Sequence, residues 1–287
     1  MPTYGITGAS GQLGRQVVEN LLARGVPAGE IVAVVRSPEK VADLAARGVQ
    51  VRQGDYSAPE TLPAAVAGVR RLLLISGSEP GRRVAQHSAV VDAARAAGVE
   101  RLLYTSILRA DTSTNPLAGE HRATEEVIAA AGLPYTFLRN SWYTENYTGQ
   151  LAQYLQTGEI VGAAGAGRVS AAPRADYAAA AAAALAGDEG GAVVYELGGA
   201  SFDFTELAAA VTEATGTKVS YRDLPADAYA AVLREQAGLD AATAEFVAGI
   251  DTSIARGDLE TGNDDLARLI GRAPGSLAAA VAAAAGS

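Results

Sequence analysis

Residues Gly8-Ala-Ser-Gly11-Gln-Leu-Gly14 join a short apolar run, Tyr4–Thr7, to a segment in which Leu13, Val17, Val18, Leu21 and Leu22 recur at helical spacing. A strand that turns on glycines directly into an amphipathic helix admits few folds. Without side chains the backbone can turn tightly and approach a pyrophosphate closely, while the free N–H groups and dipole at the helix start stabilise negative charge. Gly14 is expected to let helix and strand pack. The spacing is G-x-x-G-x-x-G and not the more usual G-x-G-x-x-G, so the strand before it and the helix behind it carry the reading.

Further along, short apolar runs alternate with helical patterns, as in a parallel sheet with crossover helices. The expected strands are Tyr4–Thr7, Ile31–Val35, Val49–Arg52, Leu72–Ile75, Leu102–Thr105 and Tyr135–Leu138. Ser37-Pro38 predicts a capped helix start, with the helix ending near Gly48. After Asn140 the rhythm gives way to longer helical segments with isolated strands near Glu159–Val161, Val193–Leu197 and Val219–Tyr221. Gly162–Gly167 reads as a plain turn, since no capped amphipathic helix follows it. The fold class is α/β, a Rossmann-type doubly wound parallel sheet with a smaller C-terminal α+β substrate lobe. Residues 1–140 form the dinucleotide-binding domain, and residues 141–287 mainly the lobe, with some segments returning to the first domain.

Composition excludes several function classes. A net charge of −9 without a basic stripe argues against direct nucleic-acid binding. The absence of cysteine removes disulfides, thiolate catalysis and cysteine-based zinc sites, and two distant histidines give a transition metal little to bind. The first residues, Met-Pro-Thr-Tyr-Gly-Ile, show no secretory pattern, and the alanine run 178–184 is too weakly apolar for a membrane span. A cytoplasmic protein with no membrane partner is expected, and a homodimer is compatible with this reading.

The residue at the end of the second strand selects the cofactor. NAD sites usually place an acid there to bind the ribose 2′-hydroxyl, whereas this chain has Arg36, with Lys40 one turn on. A guanidinium pairs bidentately with a 2′-phosphate, so NADPH is expected. Asp55 after the third strand can accept from the adenine amino group or cap a helix, and Tyr56 can cover the ring. Ser76, Gly77 and Ser78 end the fourth strand beside the expected pyrophosphate and nicotinamide ribose, and Ser106, after the fifth, can reach that ribose or cap the chain's exit.

Together, GASGQLG, VVRSPEK, GDY, LLLISGSE, YTS, EHRATE and LRNSWYTENY resemble the NmrA-like atypical short-chain dehydrogenases, with the nearest likeness to their NAD(P)H:quinone oxidoreductase type 2 branch. The resemblance covers nearly the whole chain and implies a Rossmann domain with a small C-terminal lobe. Carried over residue by residue, the implied cofactor contacts fall on Gly8, Ser10, Gly11, Gln12, Leu13, Arg36, Asp55, Ser76 to Ser78, and Arg139, Asn140, Ser141, Trp142 and Tyr143. Trp142 reads equally well as lobe packing.

The only lysines are Lys40 and Lys218, preceded four residues earlier by Arg36 and Ala214, so the usual catalytic Tyr-x-x-x-Lys is missing. An isolated ketone then lacks its acid, whereas a quinone accepts hydride to give a well-stabilised hydroquinone anion and needs mainly proximity. His121 stands where some relatives carry a catalytic lysine, and could donate a proton near neutral pH or hydrogen-bond a quinone oxygen. With Asn140 and Tyr143 it completes the expected catalytic set. His87 is expected to be a surface or packing residue. The function implied is flavin-independent NADPH:quinone reduction, and the rival is a redox-sensing regulator that binds the dinucleotide without strong catalysis. The polar and aromatic group His121, Asn140, Trp142 and Tyr143 favours the enzyme.

Overall fold

The computed structural model describes residues 4–286, so Met1–Thr3, part of the N-terminal reading above, lie outside it. The first half runs β1 (Tyr4–Thr7), α1 (Gln12–Ala23), β2 (Ile31–Val35), α2 (Ala42–Ala46), β3 (Gln50–Gln53), α3 (Leu62–Val66), β4 (Arg71–Leu74), α4 (Arg83–Ala96), β5 (Arg101–Ile107), α5 (Ala118–Ala130) and β6 (Tyr135–Asn140). The second half runs α6 (Glu145–Thr148), α7 (Leu151–Thr157), β7 (Glu159–Gly162), α8 (Arg174–Ala186), β8 (Ala192–Leu197), α9 (Phe204–Thr215), β9 (Ser220–Asp223), α10 (Ala226–Ala237), α11 (Ala241–Ala255), α12 (Asp265–Ile270) and α13 (Leu277–Ala285).

Seven parallel strands form one sheet in the order β3-β2-β1-β4-β5-β6-β8, and the order reverses between β1 and β4. Ligands of doubly wound sheets bind at the carboxyl ends of the strands flanking such a reversal. All five residues of β2 are buried, as they must be in a sheet covered on both faces. On one face Leu13, Val17, Val18 and Leu21 of α1 pack with the alanine-rich α8 and Leu266 of α12, and on the other Val90 and Val91 of α4 pack with Ile128 of α5. The alanine run is thus a buried helix, its small side chains letting α8 lie close to α1.

Two sequence expectations are corrected. Val193–Leu197 is no isolated lobe strand, because β8 pairs in parallel with β6 from Tyr135↔Ala192 to Asn140↔Leu197 and forms the sheet edge. Nor does Ser37 cap a helix. Its side chain makes no capping hydrogen bond, and a 3₁₀ turn over Pro38–Val41 precedes the short α2. The lobe pairs β7 with β9 beside α6, α7, α9, α10, α11 and α13 around a core that includes Tyr147, Phe202, Phe204 and Leu207. No helix of the described residues is long and apolar enough to cross a membrane.

Candidate active site

A cleft opens where the strand order reverses, and the glycine turn forms its floor. Gly8 has a φ of +61°, and Gly11 N–H donates to Gly8 O at 2.9 Å, closing the turn. At Gly14 a Cβ would lie 2.4 Å from Gly8 O and 2.8 Å from Ala9 Cα, so any larger residue would push α1 off the turn. No side chain caps the α1 N-terminus at Gly11, and its first turn carries no acid. The N–H groups that a helix start leaves unpaired are thus offered to the cleft.

Ser10, Gln12 and Leu13 join these glycines in the lining, as do Arg36, Lys40, Asp55, Tyr56, Ser76, Gly77 and Ser78. The cleft also holds residues that the sequence reading did not select, among them Val35, Gly54, Ile75, Glu79 and Gln86. The Arg36 side chain is 70% exposed at the rim, with Nη1 3.9 Å from Glu79 Oε1. Asp55 Oδ1 accepts from Ser57 N–H at 2.9 Å, so its carboxylate braces the local turn rather than a helix. The Tyr56 hydroxyl donates to Ile75 O at 2.9 Å and also contacts Thr7 Oγ1, fastening the β3 exit to β1 and β4.

Helix α4 holds the Ser76–Ser78 segment from beneath. Gly77 N–H donates to His87 Nε2 at 2.9 Å, and Arg83 Nε donates to Gly77 O at 2.7 Å. Thr124 Oγ1 donates to Glu120 O at 2.9 Å, so His87 Nδ1, 3.0 Å from that oxygen, carries the proton and Nε2 is the acceptor. Burial, reinforced by the Arg83 charge, pushes the His87 imidazole down to about 4 and keeps it neutral. The alternative of a surface position for His87 is excluded, since it is fully buried beside Tyr56 and Tyr104. Its role was hidden because Thr124 and Gly77 meet it only across the fold.

The reactive-end candidates are placed less uniformly. His121 Nδ1 shares a 2.7 Å hydrogen bond with the Tyr104 hydroxyl, and burial, with Arg83 and His87 nearby, pushes it down to about 3. An imidazolium acid near neutral pH is therefore not what this environment supports, and only the neutral ring is available as a hydrogen-bonding group. At the carboxyl ends of the adjacent β5 and β6, Ser106 Oγ and Asn140 Oδ1 are buried without a hydrogen-bond partner. Such orphaned polar atoms cost free energy unless a ligand satisfies them. Burial raises the Tyr143 hydroxyl, partly offset by a hydrogen bond with Asn140, and the Arg174 guanidinium lies 4.8 Å from the Tyr143 ring centre.

Arg139 and Ser141 do not join the cleft. The Arg139 guanidinium donates to Glu125 through Nε (2.9 Å) and Nη2 (2.6 Å) and to Glu196 through Nη1 (2.9 Å), leaving it no free edge for a phosphate. Ser141 Oγ donates to Leu259 O at 2.7 Å and fastens the β6 exit to the lobe. Trp142 is directed to a separate cavity in the lobe.

An open helix N-terminus behind a glycine turn, two cations at the rim and a doubly wound sheet define a Rossmann-type dinucleotide-binding protein. Residues 8–188 match the NAD(P)H-binding family model, and the chain belongs to this NAD(P)H-binding, NmrA-like family. It is 47% identical to quinone oxidoreductase 2 of Escherichia coli over 279 residues, 96% of each chain. It is 30% identical to an NAD(P)H azoreductase of Xenophilus azovorans over 75% of each chain. Among solved structures, the NADPH complex of the E. coli NADPH-dependent quinone oxidoreductase superposes with a TM-score of 0.95 at 45% identity, covering 98% of this chain and 99% of that one. The NADP(H) complex of Citrobacter triphenylmethane reductase gives 0.92 at 39% identity, covering 98% and 100%.

Proposed function

We propose that this protein is an NADPH-dependent quinone reductase that works by direct hydride transfer without a flavin. The observation that carries the reading is the joining of the glycine turn, Arg36 and Lys40 in one cleft, in a chain that resembles a quinone oxidoreductase along almost its whole length. When bound, NADPH supplies the hydride.

The chain's own residues then bind and orient. The α1 N-terminus and glycine turn receive the pyrophosphate, and Arg36 with Lys40 receives the 2′-phosphate. Ser76, Gly77 and Ser78, steadied by the bonds of Arg83 and His87 to Gly77, would face the nicotinamide ribose. The unpaired Ser106 Oγ and Asn140 Oδ1 are the polar atoms suited to the reactive end, and Tyr143 is a further candidate there. His121 acts as a neutral hydrogen-bonding group behind Tyr104, and the single proton that completes the hydroquinone after hydride transfer comes from water. Arg139, Ser141 and Trp142 support the β6 exit and the lobe.

The test is NADPH oxidation by purified protein with a panel of benzoquinones and naphthoquinones, together with a flavin assay after denaturation. Turnover without stoichiometric flavin is expected. A required flavin would overturn direct transfer, and tight NADPH binding with no turnover on any quinone would favour the regulatory reading.

A further inference from the structure

The lobe contains a cavity of about 660 Å³, within the range that holds small organic ligands. It shares no lining residue with the dinucleotide cleft, so an occupant and the cofactor bind at different places. Its walls come from α6, α7 and β7 on one side and from α10 and α11 on the other. Five rings line it: Trp142, Tyr147, Tyr154, Phe204 and Tyr229.

One buried carboxyl stands among these rings. Asp251 on α11 is 8% exposed. Its side chain makes one hydrogen bond, accepting from Ala163 N–H through Oδ2 at 2.9 Å, and among the described residues no lysine or arginine pairs with it. Glu159 and Arg222, the other charged residues of the lining, pair with each other at 3.0 Å and leave the Asp251 charge unbalanced. Burial raises the Asp251 carboxyl to about 7, against the pull of Ala163 N–H and with Asp223 adding to the rise. Holding Ala163 N–H requires only an oxygen acceptor, which an asparagine would supply without the cost of a buried charge. The acid is therefore surplus to the packing of the β7 exit.

A cation is the partner that a buried carboxylate lacks, and the faces of tryptophan and tyrosine rings attract the same charge. The side-chain amides of Gln150, Gln153 and Gln236 bring further oxygens to the lining. We propose that this cavity is a second ligand site, for an organic ammonium ion with an apolar body, in which the ammonium group donates to Asp251 and the body lies against the rings. The occupant is distinct from the hydride acceptor, and the assignment stands independently of quinone reduction.

The probe is 4-phenylbenzylammonium, with 4-phenylbenzyl alcohol as its uncharged twin. Each is titrated by calorimetry at about pH 8, where the Asp251 carboxyl is mostly ionised, into protein with and without saturating NADP⁺. Trp142 is the only tryptophan in the chain, so a change in its fluorescence places the bound probe in this cavity. Saturable binding of the ammonium ion is expected, about ten- to hundredfold tighter than the alcohol and unaffected by NADP⁺. Asp251→Asn, which keeps an acceptor for Ala163, should bind the two probes about equally, and Val247→Phe, which fills the cavity, should weaken both. NADPH affinity, unchanged in either variant, checks the fold. Absent saturable binding, equal wild-type affinities for the two probes, a preference retained in Asp251→Asn, or competition with NADP⁺ would each overturn the site.

Discussion

The backbone N–H of Gly77 donates to Nε2 of His87 at 2.9 Å, and the same imidazole is tied through Nδ1 to Thr124 on α5. One neutral ring thus spans from the dinucleotide cleft to the helix that carries His121. A Cβ on Gly77 would lie 3.2 Å from Gln86 Oε1 and 3.6 Å from His87 Nε2, so the segment rests closely on these side chains.

His87→Leu removes the acceptor and leaves Gly77 N–H unmet. NADPH should bind roughly tenfold more weakly, the cost of about one net hydrogen bond with its segment loosened. His87→Gln, which retains an acceptor, should recover much of that loss, and kcat at saturating NADPH should change little in either variant. Calorimetric titration with NADPH checks the first two expectations, and equal losses in both variants would argue for packing alone.

Arg36 stands at the cleft rim with only a 3.9 Å contact to Glu79, free to turn toward a 2′-phosphate. A charged bidentate contact is worth about 1.5–3 kcal/mol, so NADPH should be preferred over NADH by roughly ten- to hundredfold. Arg36→Asp should reverse the preference. Dissociation constants for both cofactors in both proteins decide it, and equal wild-type affinities would remove Arg36 from cofactor selection.

Arg139 is expected to matter for stability and not for cofactor choice. Its bidentate partner Glu125 is buried, and Arg139→Leu would strand that carboxylate at a cost of about 3–5 kcal/mol. Denaturant unfolding should show the loss, while the ratio of NADPH to NADH affinity stays unchanged in whatever fraction remains folded. Replacing Glu125 as well, in Arg139→Leu/Glu125→Leu, should recover part of it. A changed cofactor ratio would return Arg139 to the cleft.

Acid should destabilise the fold through its histidines. His87, held down to about 4 by burial and Arg83, is neutral in the folded chain between that value and its ordinary 6.5, where the unfolded chain is protonated. Unfolding takes up a proton in this window, so stability falls as pH drops through it, by about 3 kcal/mol for His87 in full. His121 acts in the same direction, whereas the raised Asp251 acts in the opposite one and gains stability as pH falls. His87→Gln leaves the other two groups in place, so its stability should fall less steeply between about pH 7 and pH 5 than that of the wild type. Urea titrations at both values measure the difference, and parallel slopes would contradict the assigned shift.

Local pattern determines the elements whose causes are local. The glycines of 8–14, the apolar runs of β1 to β6 and the stripe of α1 are set by steric permissiveness and by period, both properties of neighbouring residues. Arg36 at the end of β2 was legible for the same reason, because strand position alone brings that residue to the cleft rim.

Other assignments waited on contacts that no short window contains. β8 joins the main sheet only because residues 192–197 meet β6, with the whole of β7 and α8 between them in the chain. Arg139 occupies a position that the family resemblance assigns to the cofactor, yet Glu125 and Glu196 approach it from α5 and β8 and claim its charge. His87 and His121 carried the same ambiguity in the sequence. Burial against Tyr104, 17 residues from each of them in the chain, is the main cause that holds both neutral and makes one a support for the cleft, with the Arg83 charge from one turn before His87 adding to it. Backbone geometry and amphipathic period act over a few residues and are therefore written in the chain, whereas protonation, ion pairing and cavity shape depend on which distant surfaces exclude water together, and only the folded molecule decides that.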